Sequence, residues 1–201
     1  MSQRVPPLDR KRLERTLVAV LDLALPACSR FDWRLVGTAA ALLHGVPLPT
    51  ADVDILVRER AAVDAFSAAL SSYPCAAAPA WLEHSRQYYC AYDVNGARME
   101  FSTVEVPSDL EYIETFGLGP WVRCALLPCG PYSVPTVALE LRLITELRRQ
   151  RPDRYRPILE FMAVHGCDLR FIRSAIAAAG VPHALQEEVM SGLGGQSLVA
   201  A

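Results

Sequence analysis

Lysine is almost missing from this 201-residue chain: Lys11 is the only one, and arginine supplies the remaining basic charge. Twenty basic residues stand against 22 acidic ones, for a net charge of −2. That balance argues against a broad electrostatic attraction to nucleic acid or to a membrane surface. The six cysteines (Cys28, Cys75, Cys90, Cys124, Cys129 and Cys167) are scattered and form no CxxC pair. A zinc or disulfide framework is therefore not expected, and free thiols in a cytoplasmic protein are. No apolar run approaches the roughly 18 residues of a membrane span. Residues 1–15 are polar and charged, with no apolar signal core. No Gly-x-Ser-x-Gly elbow is present, which removes the usual covalent hydrolase. No internal repeat is visible. The arginine bias and abundant alanine suit a GC-rich bacterial genome.

Strands and helices alternate in the first two thirds of the chain. Leu13, Leu17, Val20, Leu21 and Leu25 recur at helical spacing after the capping candidate Asp9, and Pro26 is expected to stop that helix. Asp32 to Val36 reads as a strand, Gly37-Thr38 as a turn into an alanine-rich helix, and Gly45 as that helix's end, with His44 capping its last carbonyls. Asp52 to Val57 is a second strand, 61–71 a helix and 74–79 a loop. Asn95-Gly96 predicts a hairpin between strands 87–94 and 97–103. A further strand is expected at 121–127. From Pro135 onward only helices are expected: one capped by Thr136 and running to Gln150, one with Pro157 in its first turn, one capped by Asp168, and one over 183–190, with a frayed tail from Ser191. The expectation is an α+β fold: a small mixed sheet flanked by helices over 1–134, and a helical region over 135–201.

The most informative stretch is Leu35 to Val57. Asp52 and Asp54 lie at i and i+2 on a strand and so share one face, while Val53, Ile55 and Val57 take the other. Paired carboxylates offer hard oxygen ligands to a divalent cation, and phosphates and water complete such a shell. A third acid is available in Arg98-Met99-Glu100-Phe101-Ser102, where Met99, Phe101 and Thr103 face inward and leave Glu100 outward.

Gly37-Thr38, His44-Gly45, Thr50, Asp52 and Asp54 together resemble the signature of the polymerase-beta-type nucleotidyltransferases. Within that superfamily they are most similar to the stand-alone bacterial branch of small antibiotic nucleotidyltransferases and AbiEii-like proteins. The resemblance spans roughly residues 32–165 and is specific around 35–57. It implies a magnesium-dependent enzyme that moves a nucleoside monophosphate from a nucleoside triphosphate to a hydroxyl of a small molecule, a tRNA or a protein. On that reading Asp52, Asp54 and Glu100 are catalytic and hold Mg2+, Gly37 and Thr38 cradle the terminal phosphates, and Arg142 neutralises triphosphate charge. A catalytically weak nucleotide-binding or regulatory module on the same fold is the alternative.

Three positions depart from the pattern. Thr38 replaces a smaller residue of the turn. Leu48 stands where relatives often carry Arg. The Lys-Asp pair of the helical part is not evident near Arg151-Pro152-Asp153-Arg154, while Arg142 takes the place of a Lys in the preceding helix. Arg142, Arg148, Arg149, Arg151, Arg154 and Arg156 crowd this region. A solvated helix end explains most of such a cluster, with Arg142 the exception.

Overall fold

The computed structural model describes residues 7–105 and 119–194. Helix α1 (Arg10–Cys28) is capped by Asp9, whose carboxylate accepts the Arg12 N–H at 2.8 Å. It runs through Pro26 rather than stopping there. The proline forfeits one helical hydrogen bond, but Cys28 is fully buried and Ser29 N–H still reaches Leu25 O, so tertiary packing holds the last turn. Strand β1 (Trp33–Val36) leads directly into α2 (Gly37–His44), which ends on Gly45 in the left-handed region (φ 109°). Strand β2 (Asp52–Val57) and helix α3 (Arg60–Ala69) follow.

Residues 75–82, expected in part as loop, form strand β3 (Cys75–Leu82). The Cys-Ala-Ala-Ala-Pro-Ala sequence carries no β-branched residue. It is accommodated because β3 is an edge strand, with two register shifts against its neighbour. The predicted hairpin is present as β4 (Gln87–Val94) and β5 (Ala97–Ser102), with Asn95 and Gly96 both at positive φ. A short helix α4 (Gly119–Val122) takes the start of the expected 121–127 strand, which appears as β6 (Cys124–Cys129). Thr136, expected as a helix cap, lies instead in β7 (Tyr132–Val137) beside Leu35, and its hydroxyl donates to Val134 O.

Helix α5 (Leu139–Arg148) follows, with Ala138 at its N-cap position and no side-chain cap. Helix α6 (Pro152–His165) begins earlier than expected: Pro152 occupies its first turn, where a missing N–H costs nothing, and Pro157 sits inside. Burial of Tyr155, Ile158 and Met162 offsets the hydrogen bond that Pro157 removes. Asp168 caps α7 (Leu169–Ala178) as predicted, and α8 (His183–Gly194) continues past Met190. No described helix is long and apolar enough to cross a membrane.

The seven strands form one mixed sheet in the order β3-β4-β5-β2-β1-β7-β6. β1 is antiparallel to β2 and parallel to β7; β2 is parallel to β5. One buried cluster joins the sheet to α1 and α3, with Phe66 stacked on Phe101 (centroids 4.7 Å apart). A second gathers α5, α6, α7 and α8 around Ala41, Val46 and Leu48. Leu48 is therefore a core residue of the helical part. An arginine there would have to bury its charge.

His44 does not cap its own helix. Its Nε2 lies 2.9 Å from Val137 O and ties α2 to β7. The neutral ring donates to that carbonyl, and burial holds its pKa below the ordinary 6.5. The unfolded chain therefore takes up this proton at a higher pH than the folded protein does, and stability falls as pH drops from about 6.5 towards the lower folded value. Urea unfolding between pH 7.5 and 5 should show this slope, and His44→Gln, which keeps the donor without titrating, should reduce it. An unchanged slope in that variant would assign it to other groups.

Candidate active site

The register of three strands builds the site. On β2, Asp52 and Asp54 are half-buried on one face. Parallel pairing sets Asp52 beside Arg98 and Asp54 beside Glu100 on β5, so Asp54 and Glu100 are lateral neighbours on that face. Antiparallel pairing sets Val36 beside Asp54, which brings the following residue, Gly37, onto the carboxylate. Gly37 has φ +70°, and a Cβ built there would lie 2.2 Å from Asp54 Oδ2. Only glycine permits this approach. The first N–H groups of α2 thereby start next to Asp54, and a helix start favours anions.

Thr38 is buried, and its Oγ1 accepts from Arg154 Nη1 at 3.0 Å and from Arg142 Nη2 at 3.5 Å. Arg142, on α5, is only 2% exposed. Thr50 Oγ1 donates to the backbone carbonyl of Asp52 at 2.9 Å and lies 3.4 Å from its Oδ1, which steadies the first acid of the pair. Asp52, Asp54, Glu100, Gly37, Thr38 and Arg142 all line one open cleft of about 310 Å3. The sheet supplies its acidic floor. The helices α5 and α6 supply a wall of arginines.

Glu100 has a competing partner. Arg98 Nε donates to Glu100 Oε1 at 2.6 Å and Arg98 Nη2 donates to the Tyr89 hydroxyl at 3.0 Å. Burial is the main cause that raises the Tyr89 pKa, so Tyr89 stays a neutral phenol here. Among the described residues no three His, Cys, Asp or Glu side chains are grouped to hold a metal ion. The Asp52–Asp54 pair, with hard oxygens on one face and a glycine cradle around Asp54, fits a divalent cation that takes its other ligands from phosphate and water. Glu100 Oε1 is engaged by Arg98, so a cation would compete with the guanidinium for that oxygen.

Several cleft residues were not singled out from sequence. Gln87, Tyr89 and Ser102 extend the floor along β4 and β5. Arg149 and Arg154 turn into the cleft, whereas Arg151 pairs with exposed Asp153 at 2.7 Å and Arg156 approaches Glu188 at 4.0 Å. The arginine cluster thus divides between cleft and solvent. Arg154 occupies the region where the Lys-Asp pair is lacking. The least expected residue is Glu146, one turn beyond Arg142 and completely buried. The i, i+4 spacing of Arg142 and Glu146, with Leu143 and Leu147 on the same side of α5, was the available signal.

No protein-family model matches the sequence, and no curated protein does. Solved structures do match. A protein of Thermotoga maritima assigned as a nucleotidyltransferase superposes with a TM-score of 0.56 at 16% identity, covering 78% of this chain and 96% of its own. The antibiotic-resistance factor ANT(2″)-Ia gives 0.54 at 15% identity, covering 87% and 97%. An antigenic nucleotidyltransferase-like protein of Paracoccidioides brasiliensis gives 0.51 at 16%, covering 94% and 95%. These likenesses agree with the mixed sheet, its flanking helices and the helical C-terminal part. The chain has the nucleotidyltransferase fold.

Proposed function

We propose that the protein transfers a nucleoside monophosphate from a nucleoside triphosphate to a hydroxyl acceptor. The observation that carries this reading is the cleft itself: an Asp52–Asp54 pair, the start of α2 at Gly37-Thr38 and a wall of arginines face one another across it. Asp52 and Asp54 would hold Mg2+, which supplies Lewis-acid polarisation of phosphate oxygens when bound. Gly37 lets the N–H groups of α2 reach the terminal phosphates, with Thr38 beside them. Arg142 balances the charge that builds on the departing pyrophosphate. The acceptor oxygen forms its bond to the α-phosphorus as the bond to the β-bridging oxygen breaks. The acceptor proton passes to a carboxylate on the floor, and Glu100 is the candidate once Arg98 releases it.

The acceptor is a small molecule, a tRNA or a protein side chain. The net charge of −2 gives no general steering towards RNA. Placement in the AbiEii-like branch rests on the sequence resemblance around residues 35–57. Growth arrest on expression, relieved by Asp52→Ala, would support a toxin role.

A second reading, a nucleotide-binding module with little catalysis, is favoured by one observation: Glu100 Oε1 is engaged by Arg98, whose guanidinium is also anchored on the Tyr89 hydroxyl. Triphosphates labelled at the α-phosphorus separate the two. On the enzyme reading, binding of at least one triphosphate requires magnesium, and label passes to acceptor with equimolar pyrophosphate. Binding indifferent to magnesium, with no labelled product, supports the module.

A further inference from the structure

Glu146 is fully buried, with 0% of its side chain exposed. A carboxylate removed from water is costly unless cations and hydrogen bonds meet it. Three guanidiniums converge on Oε1: Arg142 in direct contact, and Arg149 Nη1 and Arg154 Nη1 each at 3.5 Å. Oε2 has no hydrogen-bond partner among the described residues. The arginines come from α5, its C-terminal cap and α6, so this one carboxylate ties together two helices of the helical part.

Three cations so close repel one another. At Arg154, burial first, then the charges of Arg151 and Arg149, hold the pKa below its ordinary value. Glu146 is the counter-charge that lets them share one place. Three guanidiniums against one carboxylate still leave the group cationic. That surplus is aimed at the start of α2, because Arg154 and Arg142 both reach Thr38 Oγ1. A chain of phosphates laid on the α2 N–H groups would therefore run along this wall.

We propose that Glu146 is a positioning residue for the polyphosphate tail of the substrate: it sets affinity for the tail by fixing Arg142, Arg149 and Arg154, without touching the substrate itself. The inference rests on the nucleotidyl-transfer reading of the cleft. It names a residue that the acidic floor alone does not identify.

The test uses inorganic tripolyphosphate, which needs neither the right base nor the right acceptor. Calorimetric titration with magnesium present is carried out on the wild-type protein, Glu146→Gln and Glu146→Asp, with near-ultraviolet circular dichroism as the check on folding. The wild type is expected to bind, Glu146→Gln to bind about tenfold more weakly or worse, and Glu146→Asp to recover part of the loss because it keeps the charge. A folded Glu146→Gln protein with wild-type affinity overturns the inference and leaves the reading of the cleft intact. No binding by the wild type overturns that reading, and the inference with it. If Glu146→Gln does not fold, Glu146→Asp decides: its carboxylate is drawn back from the arginines, so weakened binding supports the inference and wild-type affinity overturns it.

Discussion

Asp54→Asn is expected to lower nucleotidyl transfer by about 10^3-fold or more, while unfolding stability changes by less than about 1 kcal/mol. The amide keeps the size and shape of the carboxylate, so the β2 ladder and the Gly37 approach survive. The negative charge does not. Asp54 is the acid at the junction of the site: paired with Val36 on one side, beside Glu100 on the other, and pressed against Gly37. A neutral amide there is a poor ligand for a hard cation and leaves triphosphate charge uncompensated on the sheet side. Asp52→Asn should fall in the same direction. Steady-state transfer from the preferred triphosphate, beside a thermal melt, checks both variants. Transfer that survives Asp54→Asn would remove the mechanism, whatever the fold.

The second large effect is expected at Gly37. Alanine there meets two obstacles. The backbone at φ +70° is a conformation that L side chains rarely adopt, and the new Cβ would overlap Asp54 Oδ2 at 2.2 Å. The backbone penalty is about 1–2 kcal/mol. Relief of the overlap must push the carboxylate away, since its partner is the backbone of a helix start. A displacement of about 1 Å at a reacting centre costs about 10^2-fold in rate. Gly37→Ala should thus lose about 100-fold or more in transfer and melt several degrees lower. Gly96→Ala is the matched control: φ is +75°, yet no atom lies within 4 Å of the added Cβ. It should destabilise and leave transfer unchanged. Equal activity losses in both would refer the Gly37 effect to stability alone.

The floor of the cleft was legible because strand geometry is local. Alternation places Asp52 and Asp54 together, and the inward set Met99, Phe101 and Thr103 leaves Glu100 outward; all three inward residues are fully buried. The Asn95-Gly96 turn and the glycine that ends α2 were legible for the same reason: each is written in one or two residues. The wall was not. Arg142 and Glu146 stand four apart, the spacing of an ordinary surface ion pair. Only the packing of α5 at the centre, with Leu139, Leu141 and every residue from Arg142 to Leu147 buried, turns that pair into a hub. Arg98 likewise reads as a neighbour of Glu100 in sequence, but the second anchor of its guanidinium, Tyr89, comes from the adjacent strand. Prolines misled in proportion to their surroundings. Pro26 and Pro157 sit inside helices because buried neighbours outweigh the one bond that each removes. Strand β3 escaped notice because pairing with β4, rather than its own residues, makes it a strand.

The central claim is that Asp52 and Asp54 hold a cation against the phosphates of a nucleotide seated at the start of α2. Crystals grown with Mn2+ and a non-hydrolysable nucleoside triphosphate test it most directly, through the anomalous signal of the metal. The account predicts a peak within about 2.5 Å of oxygens from both Asp52 and Asp54 and of a phosphate oxygen, with the terminal phosphates on Gly37, Thr38 and Arg142. A triphosphate bound with its metal away from both aspartates would contradict it.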